Sequence, residues 1–313
     1  MPDLNDLSLP DLFAALADNG LVQRLFELAR AEDLGPADVT TEIMIPEPQD
    51  ATARVVAREP GTVAGLAAIP LLLETFKTDA ELVRGVSDGD VVEAGATLAT
   101  LKADHARLLA LERTLLNTLS RLSGVATHTR RFVDAVADTS ARILDTRKTT
   151  PGLRALEKYA VRCAGAHTHR LGLYDAILIK DNHLAGVPLE DFTKRLGEAC
   201  SRAWAKRIDP GLSFVEVEVD SLEQLDRALA VEQGMIDFIL LDNFTLEHLR
   251  AAVTRRDRVS ADVKLEASGN VTLDTVRAIA DTGVDRISAG AITHHAVWLD
   301  IGLDIAHDAD AAE

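Results

Sequence analysis

The sequence predicts a two-domain α/β protein whose C-terminal half is a parallel sheet or barrel, and three observations predict it. Six short runs rich in leucine and β-branched residues fall in that half, starting at Ala141, Ala176, Phe214, Phe238, Val263 and Arg286, each of strand length. Amphipathic helical patterns separate most of them, over 189–207, 221–231, 245–256 and 272–282. From the third run on, the starts recur every 23 to 25 residues, at 214, 238, 263 and 286. That is the length of one βα unit, and right-handed crossovers of such units build a parallel sheet or barrel.

Taken in chain order, the N-terminal third reads differently. Residues Asp38 to Gly95 hold short strand-like pieces with turn signals, REPGTVAG and VSDGDVVEAG, as expected of a small α+β domain. The stretch DGDVVEAGATLATLKAD also resembles the hairpin of a biotinyl or lipoyl carrier, but a carrier needs a lysine at the hairpin tip and SDGD has none. A long helix follows over Ala106–Ala137, with Gly124 as a candidate break. In it Leu108, Leu111, Leu115, Leu119 and Leu122 recur at helical spacing and form an apolar stripe, and Arg113 falls off that stripe. Later, Ser221 and Gln224 have capping-box spacing at the start of their helix. The expected organisation is an N-terminal domain over 1–137, a catalytic domain over 138–293 and a C-terminal tail over 294–313 that returns to the N-terminal domain.

Charge narrows the function classes. Lys plus Arg number 33 against 50 Asp plus Glu, a net charge of -17, which repels nucleic acid and anionic membrane at long range. Locally the balance reverses: between Arg142 and Arg207 there are 13 basic and 7 acidic residues. The acidic start MPDLNDLSLPDLF lacks the basic and apolar regions of a signal peptide. The longest uncharged apolar run, Pro60 to Leu73, has 14 residues and contains Pro70, too short to span a bilayer. Cys163 and Cys200 have neither metal-pair spacing nor a disulfide framework, so free buried thiols in a reducing cytoplasm are expected. Neither nucleic acid nor membrane is expected as a partner.

Within each C-terminal run the apolar residues come first and a polar residue or glycine closes it: Lys180 and Asp181, Glu218, Asp242, Glu266, then Gly269 and Gly290. In an α/β barrel the face at the strand C-termini carries the active site. The stretch DTRKTTPGLR, residues 145–154, closes the first run and adds its cations to that face. One class of residues there is cationic or hydrogen-bonding: Arg147, Lys148, His167, His169, Arg170 and Lys180. The planar fork of arginine suits carboxylate and phosphate, and several together imply a multiply anionic ligand. The other class is acidic, Glu218 and Asp242. Paired carboxylates beside cations are what a Mg2+-bound sugar phosphate requires; structural ion pairing is the plainer alternative. Two glycine loops, EASGNVT (266–272) and SAGAIT (288–293), each lead toward a helix and offer backbone amides to a phosphate. His167 and His169 would share one face of a strand, but no third ligand has the spacing of a zinc site.

The stretches ALERTLLNTLSRLSGVATHT, ILDTRKTTPGLRALEKYAVR, HRLGLYDAILIKDNH, VEVEVDSLEQL, FILLDNF, LEASGNV and ISAGAIT closely resemble quinolinate phosphoribosyltransferase. The likeness runs in order from about EDLGPADVTTE (32–42) to LDIGLDI (299–305). It implies a type II phosphoribosyltransferase fold, with an N-terminal α/β sandwich covering an incomplete α/β barrel. It implies a homodimer with shared active sites, and quinolinate, phosphoribosyl pyrophosphate and Mg2+ as ligands. By motif, it implies that Arg113, Arg147, His169, Arg170 and Lys180 line the quinolinate and pyrophosphate side, and that Lys148 serves the phosphates. Glu218 and Asp242 would hold ribose hydroxyls and metal, and with Lys148 and Lys180 make up the catalytic set. Ser268, Gly269, Asn270 and Gly290 would bind the 5′-phosphate. One departure stands out: the family usually has three glycines followed by Asn-His-Arg, where this chain reads Ala164-Gly165-Ala166-His167-Thr168-His169-Arg170. The expected reaction joins quinolinate to the ribose with loss of pyrophosphate and CO2. A paralogue acting on another acid would not need cations for two carboxylates. A catalytically dead scaffold would be expected to have lost some of Arg113, Arg147, Lys180, Glu218 or Asp242, all of which are present.

Overall fold

The computed structural model describes residues 3–207 and 212–307. The chain opens with α1 (Leu9–Ala17), α2 (Leu21–Leu34) and α3 (Val39–Met44); Ser8 and Asp38 cap the first and third by accepting the Asp11 and Thr41 amides. Then come β1 (Asp50–Ala57), β2 (Gly61–Thr62), α4 (Ile69–Phe76), β3 (Glu81–Arg84), β4 (Val91–Val92), β5 (Thr97–Asp104) and α5 (His105–Ala135). Next are β6 (Arg142–Leu144), α6 (Arg154–Cys163), β7 (Ile177–Ile179), α7 (Phe192–Arg207), β8 (Val215–Val219) and α8 (Leu222–Leu229). The chain continues through β9 (Phe238–Asp242), α9 (Leu246–Val259), β10 (Lys264–Ser268), α10 (Leu273–Ala280), β11 (Arg286–Ser288), α11 (Ala291–His294) and β12 (Ile301–His307).

Two compact units result. The barrel unit takes the described residues of 1–6, 131–148 and 166–292, and the second unit those of 7–130, 149–165 and 293–313. Residues 308–313 of the expected C-terminal tail lie outside the described residues. In the barrel unit all six expected runs are strands, parallel throughout, in the order β6-β11-β10-β9-β8-β7. β6 and β7 stay unpaired with each other, so the barrel is incomplete. The period of two sorts β8: Val215, Val217 and Val219 are buried on one face while Glu216 and Glu218 share the other. Ser221 caps α8 by accepting the Gln224 amide at 3.4 Å, and the Gln224 side chain returns to the Asp220 amide at 3.1 Å, one residue earlier than a standard capping box.

The second unit holds the antiparallel sheet β12-β1-β5-β3 and the small pair β2-β4. The expected leucine stripe of α5 is buried along its length, with Leu108, Leu111, Leu115, Leu119 and Leu122 no more than 1% exposed. Each such burial contributes about 1.5 to 3 kcal/mol. The expected break at Gly124 is absent, and α5 runs through it unbroken. A Cβ there would lie 2.1 Å from the Val297 carbonyl oxygen; the glycine serves a close approach of two backbones.

Candidate active site

The C-terminal ends of the barrel strands surround a cavity of about 580 Å3. Its rim carries Arg147, Lys148, His169, Arg170 and Lys180 from the cationic class, and Glu218 with Asp242 from the acidic one. The two glycine loops complete it through Ser268, Gly269, Asn270 and Gly290. Arg113 is not in this lining; it is exposed on α5 and lines a pocket of about 400 Å3 in the second unit, with Phe26, Leu122, Leu156 and Trp298.

The opening stretch 145–154 divides into residues that hold it and residues it presents. Asp145 is fully buried and accepts the His169 amide at 2.8 Å. Thr146 Oγ1 accepts the Lys148 amide at 2.9 Å, a local turn that leaves Arg147 and Lys148 exposed at the mouth. In the second unit Thr150 donates its amide and its hydroxyl to the buried Glu157 carboxylate, at 3.0 and 2.8 Å. Arg121 donates to the same carboxylate at 2.6 Å, and Arg154 turns back to Thr149 Oγ1 at 3.0 Å. Arg170 is 7% exposed, with Nη1 donating to the Ala176 carbonyl at 3.4 Å. Burial holds its guanidinium below the ordinary arginine value, and the like charge of Arg147 pushes the same way. Two guanidinium groups so placed suit a ligand carrying two negative charges.

On the acidic side Lys180 Nζ donates to Glu218 Oε2 at 2.6 Å, and Asp242 Oδ2 accepts the Asn243 amide group at 2.8 Å. The neighbouring loop depends on left-handed backbone: φ is 56° at Asn243, 97° at Gly269 and 49° at Asn270. A Cβ on Gly269 would lie 2.2 Å from Asn243 Oδ1, so this glycine meets both a positive φ and a close contact. Asn270 Nδ2 donates to the same Asn243 oxygen at 3.1 Å. Such a turn just before α10 turns backbone amides toward an anion.

Beneath the mouth lies a layer in which sequence reasoning named His169 and Glu266 but missed Glu216 and Arg286. His169 Nε2 is 2.9 Å from Glu216 Oε2 and 3.5 Å from Glu266 Oε1, and both carboxylates are fully buried. His169 Nδ1 accepts the Arg170 amide at 2.8 Å, which assigns the ring proton to Nε2. Arg286 Nε is 2.8 Å from Glu266 Oε2, and its guanidinium sits 3.9 Å from the Phe238 ring centroid. Burial pushes the Glu216 carboxyl up to about 7, against the pull of Arg286 and Arg170, and burial also raises Glu266. Among the described residues, His169, Glu216 and Glu266 are the one trio of His, Cys, Asp or Glu close enough to share a metal ion. Arg286 and the His169 proton already face these carboxylates, and His167 stands outside the trio. The alternation in VEVEV put Glu216 on the Glu218 face, and that was the available signal.

The fold and the mouth define an α/β-barrel enzyme whose rim joins cations, carboxylates and amide-rich loops. Residues 38–123 match the family model for the quinolinate phosphoribosyl transferase N-terminal domain, and residues 125–304 the model for its C-terminal domain. The chain belongs to the quinolinate phosphoribosyl transferase family. It is 46% identical over 270 residues to the nicotinate-nucleotide pyrophosphorylase [carboxylating] of Mycobacterium leprae, covering 86% of this chain and 91% of that one. It is 36% identical over 295 residues to quinolinate phosphoribosyltransferase [decarboxylating] 1 of Nicotiana glauca, covering 90% of this chain and 81% of that one. The solved nicotinate-nucleotide pyrophosphorylase of Francisella tularensis superposes with a TM-score of 0.81 at 35% identity, covering 98% of this chain and all of that one.

Proposed function

We propose that the protein transfers the phosphoribosyl group of phosphoribosyl pyrophosphate to quinolinate with decarboxylation, giving nicotinate mononucleotide, pyrophosphate and CO2 in NAD biosynthesis. The observation that carries this reading is the mouth itself, where Arg147 and Arg170 converge on one side and Glu218, Asp242 and the Gly269-Asn270 loop gather on the other. The two arginines bind the carboxylates of quinolinate, with Lys180 beside them. Lys148 meets the pyrophosphate, and Ser268, Gly269, Asn270 and Gly290 hold the 5′-phosphate. The pyridine nitrogen attacks C1 of the ribose as the bond to pyrophosphate breaks. The positive ring nitrogen then accepts the electrons of the departing 2-carboxylate, and a proton takes its place on the ring. Catalysis on this view is alignment plus charge, because Glu218 and Asp242 face the ribose as it gains positive character.

The donor set of Glu218 and Asp242 fits Mg2+, which takes few protein oxygens and would neutralise phosphate charge when bound. His169, with both ring nitrogens turned to protein groups, serves the quinolinate side by holding Arg170. The protein acts as a homodimer in which Arg113 completes the site of the neighbouring chain. Free, buried Cys163 and Cys200 support a cytoplasmic setting, and among the described residues no helix is long and apolar enough to cross a membrane. The test is an assay of quinolinate loss and pyrophosphate release with and without Mg2+. Wild type should turn over, and Arg147→Ala should lose about 2 to 4 kcal/mol in kcat/KM. A folded Arg147→Ala enzyme with wild-type kcat/KM for quinolinate would remove the assignment.

A further inference from the structure

Residue Asn5 belongs to the barrel unit, 163 positions away in sequence from the residue it holds. Thr168 donates its amide to Asn5 Oδ1 at 2.7 Å and its hydroxyl to the same oxygen at 3.2 Å, while Asn5 Nδ2 donates to the Thr168 carbonyl at 3.1 Å. Both backbone polar groups of Thr168, which is 5% exposed, are thus met by one side-chain amide. Asn5 is itself oriented, since its own amide donates to Asp3 Oδ1 at 2.9 Å.

The position of this clasp follows from the open barrel. His167 pairs with β6: its amide donates to the Ile143 carbonyl at 2.8 Å, and its carbonyl accepts the Asp145 amide at 3.2 Å. In extended chain the next residue directs its amide and carbonyl to the opposite side. A closed barrel would set a strand there, but this sheet ends with β6 and β7 apart. Asn5 occupies the place of the missing ladder partner. One residue on, the His169 amide turns back to Asp145 and the Arg170 amide donates to the His169 ring.

We infer that Asn5 is a positioning residue for the reaction, acting through Thr168 to hold His169 and Arg170 at the mouth. The inference rests on the proposed reading that Arg170 binds a carboxylate of quinolinate. The need for a clasp is electrostatic: the buried Arg170 and the nearby Arg147 repel one another, and the Asn5 bonds to the Thr168 amide and carbonyl resist that repulsion. With Asn5 removed, a buried amide and a buried carbonyl lose their partners, a cost that relaxation of the 167–170 segment relieves. Arg170 then moves, whereas Glu218, Asp242 and the phosphate loops keep their own supports.

The test compares wild type with Asn5→Ala, which removes the clasp, and Asn5→Asp, which keeps the acceptor for the Thr168 amide but not the donor to its carbonyl. In steady state Asn5→Ala should raise KM for quinolinate roughly 5- to 100-fold and leave KM for phosphoribosyl pyrophosphate within about twofold; Asn5→Asp should fall between. Amide hydrogen exchange without substrate should speed up at Thr168 in Asn5→Ala and stay unchanged at Val217 in β8. Unchanged exchange at Thr168 would overturn the clasp. Faster exchange with an unchanged KM for quinolinate, or equal losses for both substrates, would overturn the positioning role. A wild-type enzyme that turned over phosphoribosyl pyrophosphate with another acid, but not quinolinate, would instead sink the substrate assignment, and the exchange comparison would still judge the clasp.

Discussion

Arg170 carries its charge against two opposing effects, its own burial and the neighbouring Arg147, so a dianion at the mouth relieves both at once. On the proposed reading Glu218 and Asp242 have a different task, and their neutral isosteres separate it. Glu218→Gln or Asp242→Asn should lower kcat by about 100-fold or more and weaken the dependence on Mg2+, while KM for quinolinate changes only a few-fold. Steady-state rates over a Mg2+ series would decide, and a defect confined to quinolinate binding would put these carboxylates on the wrong substrate. At this scale the mouth was legible because its residues close their strands: Lys180, Glu218 and Asp242 each stand at the end of an apolar run. The layer beneath was legible only in part, since Glu266 closes its strand run but Arg286 opens one, and the parallel register alone sets the two side by side. Asn5 gave no signal at all, because nothing local ties it to the altered segment 164–168.

The corner where β11 begins depends on Asp285, which accepts the Leu265 amide of β10 at 2.9 Å and Arg256 of α9 at 2.6 Å, with Lys264 at 3.4 Å. Burial raises its carboxyl, but the Leu265 amide and Arg256, helped by Lys264, outweigh burial and hold it below the ordinary value of 3.8. The unfolded chain therefore takes up this proton at a higher pH than the native one. Across that interval stability rises with pH; the contribution is complete above the ordinary value and is lost as pH falls through the lowered one. Asp285→Asn should cost about 1 to 2 kcal/mol at pH 7, and the gap in Tm between variant and wild type should narrow below pH 4. A gap independent of pH would reject this account. Elements of this kind were legible by period: the helices expected at 221–231 and 245–256 are α8 and α9, the first opened by its expected Ser221 cap and the second by Thr245, which accepts the His248 amide. Gly124 was misread because the backbone it admits, at Val297, is remote in sequence.

For the whole molecule, the proposal of a shared site makes Arg113 the deciding residue. It is exposed on α5, off the leucine stripe, and outside the lining of the barrel mouth. If two chains exchange this arginine across a two-fold axis, the contribution is reciprocal. Mixing inactive Arg113→Ala with inactive Arg147→Ala and letting subunits exchange should then give heterodimers with one site bearing both lesions and one bearing neither. Activity should recover toward half of wild type per heterodimer. No recovery despite demonstrated exchange would place Arg113 in its own chain's site.

The pairing of β12 with β1 joins Ile301–His307 to Asp50–Ala57, and all six barrel strands are spelled out between them. On the ribosome, β1 emerges early and must wait with one edge unpaired while residues 131–292 are made. The barrel unit, by contrast, has every strand in hand once Ser288 has left the exit tunnel. Synthesis therefore favours an order in which the barrel is assembled before the sheet that begins first is finished. Until residue 307 is made, the exposed edge of β1 is the point on the nascent chain most open to a wrong partner.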